Sequence, residues 1–214
     1  MPFYCCIYVT NSGTDDENRR CQRKFATDDE RRYGDGRAFK PPMKSLYLLR
    51  HAKSAWNEPA LTDHDRPLAP RGLAAAAMMG YHLRDRALPK PDLVLCSTAR
   101  RAVDTLGICL GAWGIPLRTK KLKSLYLCGA DGLLRRIQAT PDSANTVMLV
   151  AHNPDMHDMA MHLANSGSAS KLDALREKFP TGCFARFSFG VESWKDVSAD
   201  SGALLTFLQP RDLD

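Results

Sequence analysis

Leu46-Tyr47-Leu48-Leu49-Arg50-His51-Ala52-Lys53-Ser54-Ala55-Trp56-Asn57 is the stretch whose reading decides the fold. The apolar run between Lys44 and Arg50 has the length of a buried parallel strand. It leads straight into an Arg-His pair, a hydroxyl and an amide. Open α/β sheets put their chemistry there, in the crevice beyond the carboxyl ends of the strands.

From Lys44 onward, strand-like and helix-like patterns alternate, which predicts an α/β chain. A polar loop with Asp63-His64-Asp65-Arg66-Pro67-Leu68 leads to a helix over residues 71–86. Its periodic face is Leu73, Ala76, Ala77, Gly80 and Leu83 or Arg84, and Pro89 and Pro91 end it. Residues 92–96 read as a second apolar strand. Ser97 or Thr98 is then expected to cap a helix facing inward through Ala99, Ala102, Val103, Leu106, Leu110 and Trp113. The Gly107-x-x-x-Gly111 spacing on that helix reads as close helix packing, because no strand precedes it as a nucleotide loop would need. A further strand, residues 146–151, ends in His152-Asn153-Pro154, with Asn153 as N-cap and Pro154 at the first helical position. The tail holds two more strands, residues 184–189 and 203–208, joined by a loop with Trp194. That pairing suggests an antiparallel edge on an otherwise parallel sheet.

Chemistry collects at three strand ends. Arg50, His51, Ser54 and Asn57 form R-H-x-x-S-x-x-N, four groups able to meet one phosphate. Arginine binds phosphate bidentately, and a neutral imidazole attacks phosphorus through one nitrogen if a hydrogen bond holds the other. Arg100 and Arg101 occupy a helix first turn, where free amides and the dipole already favour an anion. His152 supplies the third group. His157 and His162, on the following helix, are expected to face solvent.

With these residues the chain resembles the histidine phosphatase superfamily, also called phosphoglycerate mutase-like. That family's signature is R-H-G at the end of the first strand, and Ala52 stands here in place of the glycine. In S-x-x-x-R-A-x-x-T, read from Ser97 to Thr105, Arg101 matches the family's phosphate-binding arginine, which leaves Arg100 facing solvent or substrate. Ala151-His152-Asn153-Pro154 resembles the second-histidine turn of the SixA-like phosphohistidine phosphatases. The match runs from about Lys44 to Leu213. It implies a three-layer α/β/α sandwich with a mostly parallel sheet, forming a single domain over residues 44–214. It also implies His51 as nucleophile, with Arg50, Arg101 and His152 stabilising the phosphoryl group and Ser54 and Asn57 positioning it. No cofactor or metal is expected, since clustered cations take a metal's place.

Hydrolysis of a phosphate monoester needs an acid for its alkoxide leaving group. Asp63 and Asp65 are candidates, while Asp131 reads better as the N-cap of a helix bearing Leu133, Leu134 and Ile137. Phosphohistidine releases imidazole, a better leaving group, and the short interval from Arg101 to His152 leaves little room for a lid. A phosphorylated protein is therefore the expected partner, with small phosphate esters as the alternative. The rivals are a phosphate-binding module without turnover, a mutase, and a cysteine phosphatase. The last would need C-x5-R, whereas four residues separate Cys96 from Arg101.

Of the 214 residues, 44% are hydrophobic and 25% charged, with a net charge of +6, as in ordinary globular proteins. No Lys/Arg block marks nucleic-acid binding, and no apolar run is long enough for a membrane span. Seven scattered cysteines without C-x-x-C spacing suggest reduced thiols and a cytoplasmic setting. Residues 1–43, with Asp15-Asp16-Glu17, Arg19-Arg20 and Pro41-Pro42, read as a poorly ordered extension without signal-peptide layout. Met43 is a candidate start of translation.

Overall fold

The computed structural model describes residues 44–213 apart from 57, 59, 117 and 118. The expectations for residues 1–43 and for Asn57 lie outside these residues. Strand β1 (Lys44–Arg50) is buried along its length until Arg50 emerges half-buried at the end. Its side chains divide by strand periodicity. Leu46 and Leu48 enter one apolar cluster, and Tyr47 and Leu49 enter another on the opposite face. Each is 0–1% exposed, so each contributes about 1.5–3 kcal/mol by leaving water.

Six more strands complete a seven-stranded sheet: β2 (Leu93–Ser97), β3 (Thr119–Leu122), β4 (Thr146–Ala151), β5 (Ala164–Gly167), β6 (Phe184–Phe189) and β7 (Gly202–Leu208). Their order is β3-β2-β4-β1-β6-β7-β5, with β1 at the centre. β1 pairs in parallel with β4, β4 with β2, and β2 with β3. β6 runs antiparallel to both β1 and β7, and β5 is parallel to β7. The sheet is thus mostly parallel, as expected. Its antiparallel part is β6, one step inside the expected edge, because β7 and β5 add beyond it.

Helices α1 (Pro70–Asp85) and α2 (Arg100–Trp113) cover the Tyr47 face, while α3 (Gly129–Gln138), α4 (Asp155–Leu163) and α5 (Ala169–Glu177) cover the Leu46 face. The result is the three-layer α/β/α sandwich. Among the described residues no helix is long and apolar enough to cross a membrane.

Several local expectations need correction. The inner row of α1 is Gly72, Ala76, Met79, Gly80 and Leu83, while Leu73 is 45% exposed. The turn of the face follows from Gly72, whose missing Cβ would lie 2.1 Å from the Lys53 carbonyl oxygen. Close helix packing belongs to Gly80, where a Cβ would sit 2.3 Å from the Cys109 carbonyl. Gly107 and Gly111 face open space. The N-cap of α2 is Ala99, that of α3 is Cys128 and that of α4 is Pro154, none with a side-chain capping bond. Neither Ser97 nor Thr98 is therefore the N-cap of α2, and Asn153 and Asp131 do not cap their helices either. His157 is half-buried and bonds the Leu175 carbonyl at 2.8 Å, joining α4 to α5 rather than facing solvent, whereas His162 is exposed.

Candidate active site

His51 follows β1 directly, and its amide continues the ladder to the Ala151 carbonyl at 3.2 Å. Gly182, at φ +79°, donates its amide to the carbonyls of Arg50 (3.2 Å) and His51 (3.0 Å). A left-handed turn of this kind favours glycine. The Arg50 amide is held by the Cys183 carbonyl at 3.0 Å. On the other side, Thr105 accepts from the Ala52 amide at 2.9 Å and donates to the Arg101 carbonyl at 2.6 Å, tying the first turn of α2 to the residue after His51.

The His51 ring is 7% exposed and oriented at both nitrogens. Nδ1 lies 2.8 Å from the Ala52 carbonyl, an acceptor, so Nδ1 carries the proton and Nε2 keeps its lone pair. The Nε–H of Arg101 points at that Nε2 from 3.3 Å. The His152 ring lies 4.9 Å away between centroids, with its Nε2 2.8 Å from the Ser97 hydroxyl. Arg50 donates from Nη1 to the Phe179 carbonyl at 2.7 Å, and Asn153 donates to the same oxygen at 3.0 Å. The Nε atoms of Arg50 and Arg66 and the Nδ1 of His152 are buried without a hydrogen-bond partner among the described residues. An anion's oxygens would satisfy such groups.

Burial, followed by the charges of Arg101, Arg50 and Arg66, pushes the His51 pKa down to about 3, against the pull of the Ala52 bond. His152 is lowered to about 3 by burial and then by His51, Arg101, Arg50 and His64. Both imidazoles are neutral at pH 7.

The sequence model of the histidine phosphatase superfamily (branch 1) matches residues 46–123. An uncharacterised Mycobacterium tuberculosis protein is 38% identical over 165 residues, spanning 76% of this chain and all of the relative. The structure of a candidate phosphohistidine phosphatase SixA from Nakamurella multipartitia superposes with a TM-score of 0.67 at 34% identity, over 78% of this chain and 96% of that one. The corresponding Agrobacterium tumefaciens structure gives 0.64 at 32%, over 78% and 98%. The chain belongs to the histidine phosphatase superfamily.

Within this histidine phosphatase fold the structure brings together Arg50, His51, Arg101 and His152. Ser54 is buried beside them in sequence, and its backbone bridges to Leu68. It lines a cleft of about 640 Å³ with Lys53, Trp56 and Arg71. Arg100 points away, pairing with Asp104 at 3.6 Å with its side chain 57% exposed. Of the three candidate acids, Asp131 is exposed in the first turn of α3. Asp65 accepts from the Thr62 hydroxyl at 2.6 Å, and that bond and His64 hold its carboxyl below the usual carboxylate range. Asp63 is bonded to Arg101, Arg66 and Tyr126.

Ser97, His64, Arg66 and Tyr126 also meet in this cluster, in positions the sequence reading did not assign them. The Tyr126 ring stands edge-on to His152 (5.3 Å) and to His64 (5.1 Å). Only the fixed spacing of Ser97 to Arg101 carried a usable signal. The thiol rival fails on chemistry, because burial pushes Cys96 up to about 12, and a thiol there is not a nucleophile. Cys109 is likewise raised to about 12 and Cys183 well above its usual value, and the four described cysteines are free.

Proposed function

We propose that this protein is a phosphatase that works through a phosphohistidine intermediate on His51 and removes phosphate from phosphohistidine on a protein. The observation that carries this reading is the His51 ring: Nδ1–H on the Ala52 carbonyl, and a neutral Nε2 presented to the Arg101 guanidinium. The Nε2 lone pair attacks phosphorus in line, and the leaving group departs on the opposite side. As the N–P bond forms, the Arg101 Nε–H passes from Nε2 to a phosphoryl oxygen. Arg50, Arg66 and His152 supply the remaining donors around the equatorial oxygens. Three guanidiniums give the charge that the transition state needs, so no metal has a task to perform. Water then cleaves phospho-His51 and restores the ring.

The substrate class follows from the leaving group. Asp63 spends its carboxylate as an acceptor, Asp65 is an acceptor whose carboxyl is held ionised, and Asp131 is exposed on α3. None is placed to hand a proton to an alkoxide. A phosphoimidazole protonated at its far nitrogen leaves as neutral imidazole and needs no acid. The similarity to candidate phosphohistidine phosphatases supports the same choice.

The test is phosphate release from a phosphohistidine-bearing protein and from an aryl phosphate, with excess chelator and no added metal. The native chain and Cys96→Ala should turn over, favouring the phosphoprotein, while His51→Ala should lose about a thousand-fold or more in rate. No release from either substrate would make the site a binding module. Loss in Cys96→Ala alone would make the thiol the nucleophile.

A further inference from the structure

We propose that Asp63 is a positioning residue that aims Arg101 at the phosphoryl group, rather than an acid that protonates the leaving group. The inference rests on the phosphatase reading of the same pocket and deepens it. Arg101 is 4% exposed, and its guanidinium is a rigid planar fork of five N–H donors. One residue holds the far end of that fork: Nη1 donates to the main-chain carbonyl of Asp63, and Nη2 donates to its Oδ2 at 2.8 Å. In a planar group, fixing one edge fixes the direction of the others. The side edge, with Nε–H, is thereby turned to His51 Nε2 at 3.3 Å, where the phosphoryl oxygens must pass.

Asp63 is itself fixed from two more directions. Arg66 pairs with Oδ1 and the Tyr126 hydroxyl donates to Oδ2. Segments far apart in sequence, the turn at 63–66, the first turn of α2 and the turn after β3, thus meet on one carboxylate. Its charge also stands between two guanidiniums that otherwise repel across the site. Oδ2 already accepts hydrogen bonds from Arg101 and Tyr126 and Oδ1 is paired with the Arg66 guanidinium, the opposite of what a general acid needs. Through Tyr126, whose ring stands edge-on to His152 at 5.3 Å between centroids, the same cluster reaches the second histidine.

A positioning role and an acid role differ in how the defect depends on the leaving group. Losing an acid hurts poor leaving groups far more than good ones, whereas a misaimed Arg101 hurts all of them alike. The experiment compares native protein, Asp63→Asn, Asp63→Ala and Tyr126→Phe on a series of aryl phosphates of graded leaving-group pKa and on a phosphohistidine-bearing protein. Affinity for inorganic phosphate is read by calorimetry alongside. The expected result for Asp63→Asn is a uniform loss of about a hundred-fold in kcat/KM across the series, an unchanged leaving-group slope and weaker phosphate binding. Tyr126→Phe should show a smaller loss of the same uniform kind. A loss that steepens with leaving-group pKa at unchanged phosphate affinity would overturn the proposal in favour of an acid, and unchanged kinetics would overturn it outright. If the native chain turned over none of these substrates, the phosphatase reading would fail. The calorimetry would still decide the aim of Arg101, because unchanged phosphate binding in Asp63→Asn would contradict it. Should Asp63→Ala not fold, the near-isosteric Asp63→Asn carries the comparison.

Discussion

Ala52 shows how much one residue beside the His51 imidazole can be made to carry. It is fully buried, packs with Leu68 and Ala76, gives its amide to Thr105 and offers its carbonyl to His51. Its backbone is not among the positive-φ positions, so alanine meets no strain there and glycine has no conformational advantage. Ala52→Gly should lower stability by about 1 kcal/mol in urea unfolding and leave turnover unchanged, because the peptide groups that orient His51 remain. A large gain in turnover would show instead that the methyl group obstructs the site. Arg50, His51, Arg101 and His152 were legible in the sequence because each follows an apolar strand or opens a helix. Arg66 and Tyr126 were not, since they lie in turns without periodicity and reach the site only through tertiary contacts. Ser97 was misread for a related reason. A serine before a helix suggests a cap, but here its hydroxyl meets His152 and also receives the Ala99 amide at 3.3 Å.

At the scale of elements, the glycines divide by what surrounds them. A Cβ on Gly72 would meet the Lys53 carbonyl, a backbone atom that cannot move aside without shifting the loop after His51. Gly72→Ala should therefore cost about 1–3 kcal/mol and reduce turnover as well. Gly111→Ala, in the last turn of α2 with nothing within 4 Å, should gain about 0.5–1 kcal/mol and leave activity alone. Thermal melts with parallel rate measurements separate the two. If Gly111→Ala destabilised as Gly72→Ala does, the packing described for α2 would be wrong. The strands and helices that the sequence revealed are those with continuous, alternating or periodic apolar residues, β1, β2, β4, β6, β7 and α1 to α4. β3, Thr-Lys-Lys-Leu, and β5, Ala-Asn-Ser-Gly, lie at the two edges of the sheet, where one side needs no apolar row, and they gave no such signal.

For the whole molecule, the buried histidines link the site to stability. His51 and His152 have folded-state pKa values near 3 against 6.5 for a free imidazole. Above pH 6.5 both are neutral in the folded and unfolded chain, and stability is full. As pH falls from 6.5 towards 3 the unfolded chain takes up protons that the folded chain refuses, so stability falls. The limiting slope is about 1.4 kcal/mol per pH unit for each histidine. Urea midpoints should drop between pH 6.5 and 4.5, above the range where the depressed carboxyls of Asp65 and Asp142 titrate, and the drop should be shallower in His152→Asn. Equal pH slopes in the variant and the native chain would contradict the burial of a neutral His152. The α/β class was readable from the alternation of elements, and the three layers followed from the family resemblance. The position of β6 inside the sheet was not, because sequence order does not reveal which strands add beyond it.

The central claim is that His51 carries the phosphoryl group, and the direct measurement is intact mass and peptide mapping after rapid acid-free quenching with an aryl phosphate. The expected result is one added phosphoryl group, acid-labile and mapped to His51, present in the native chain and absent from His51→Ala. Turnover in the native chain with no such adduct, or an adduct that persists in His51→Ala, would contradict it.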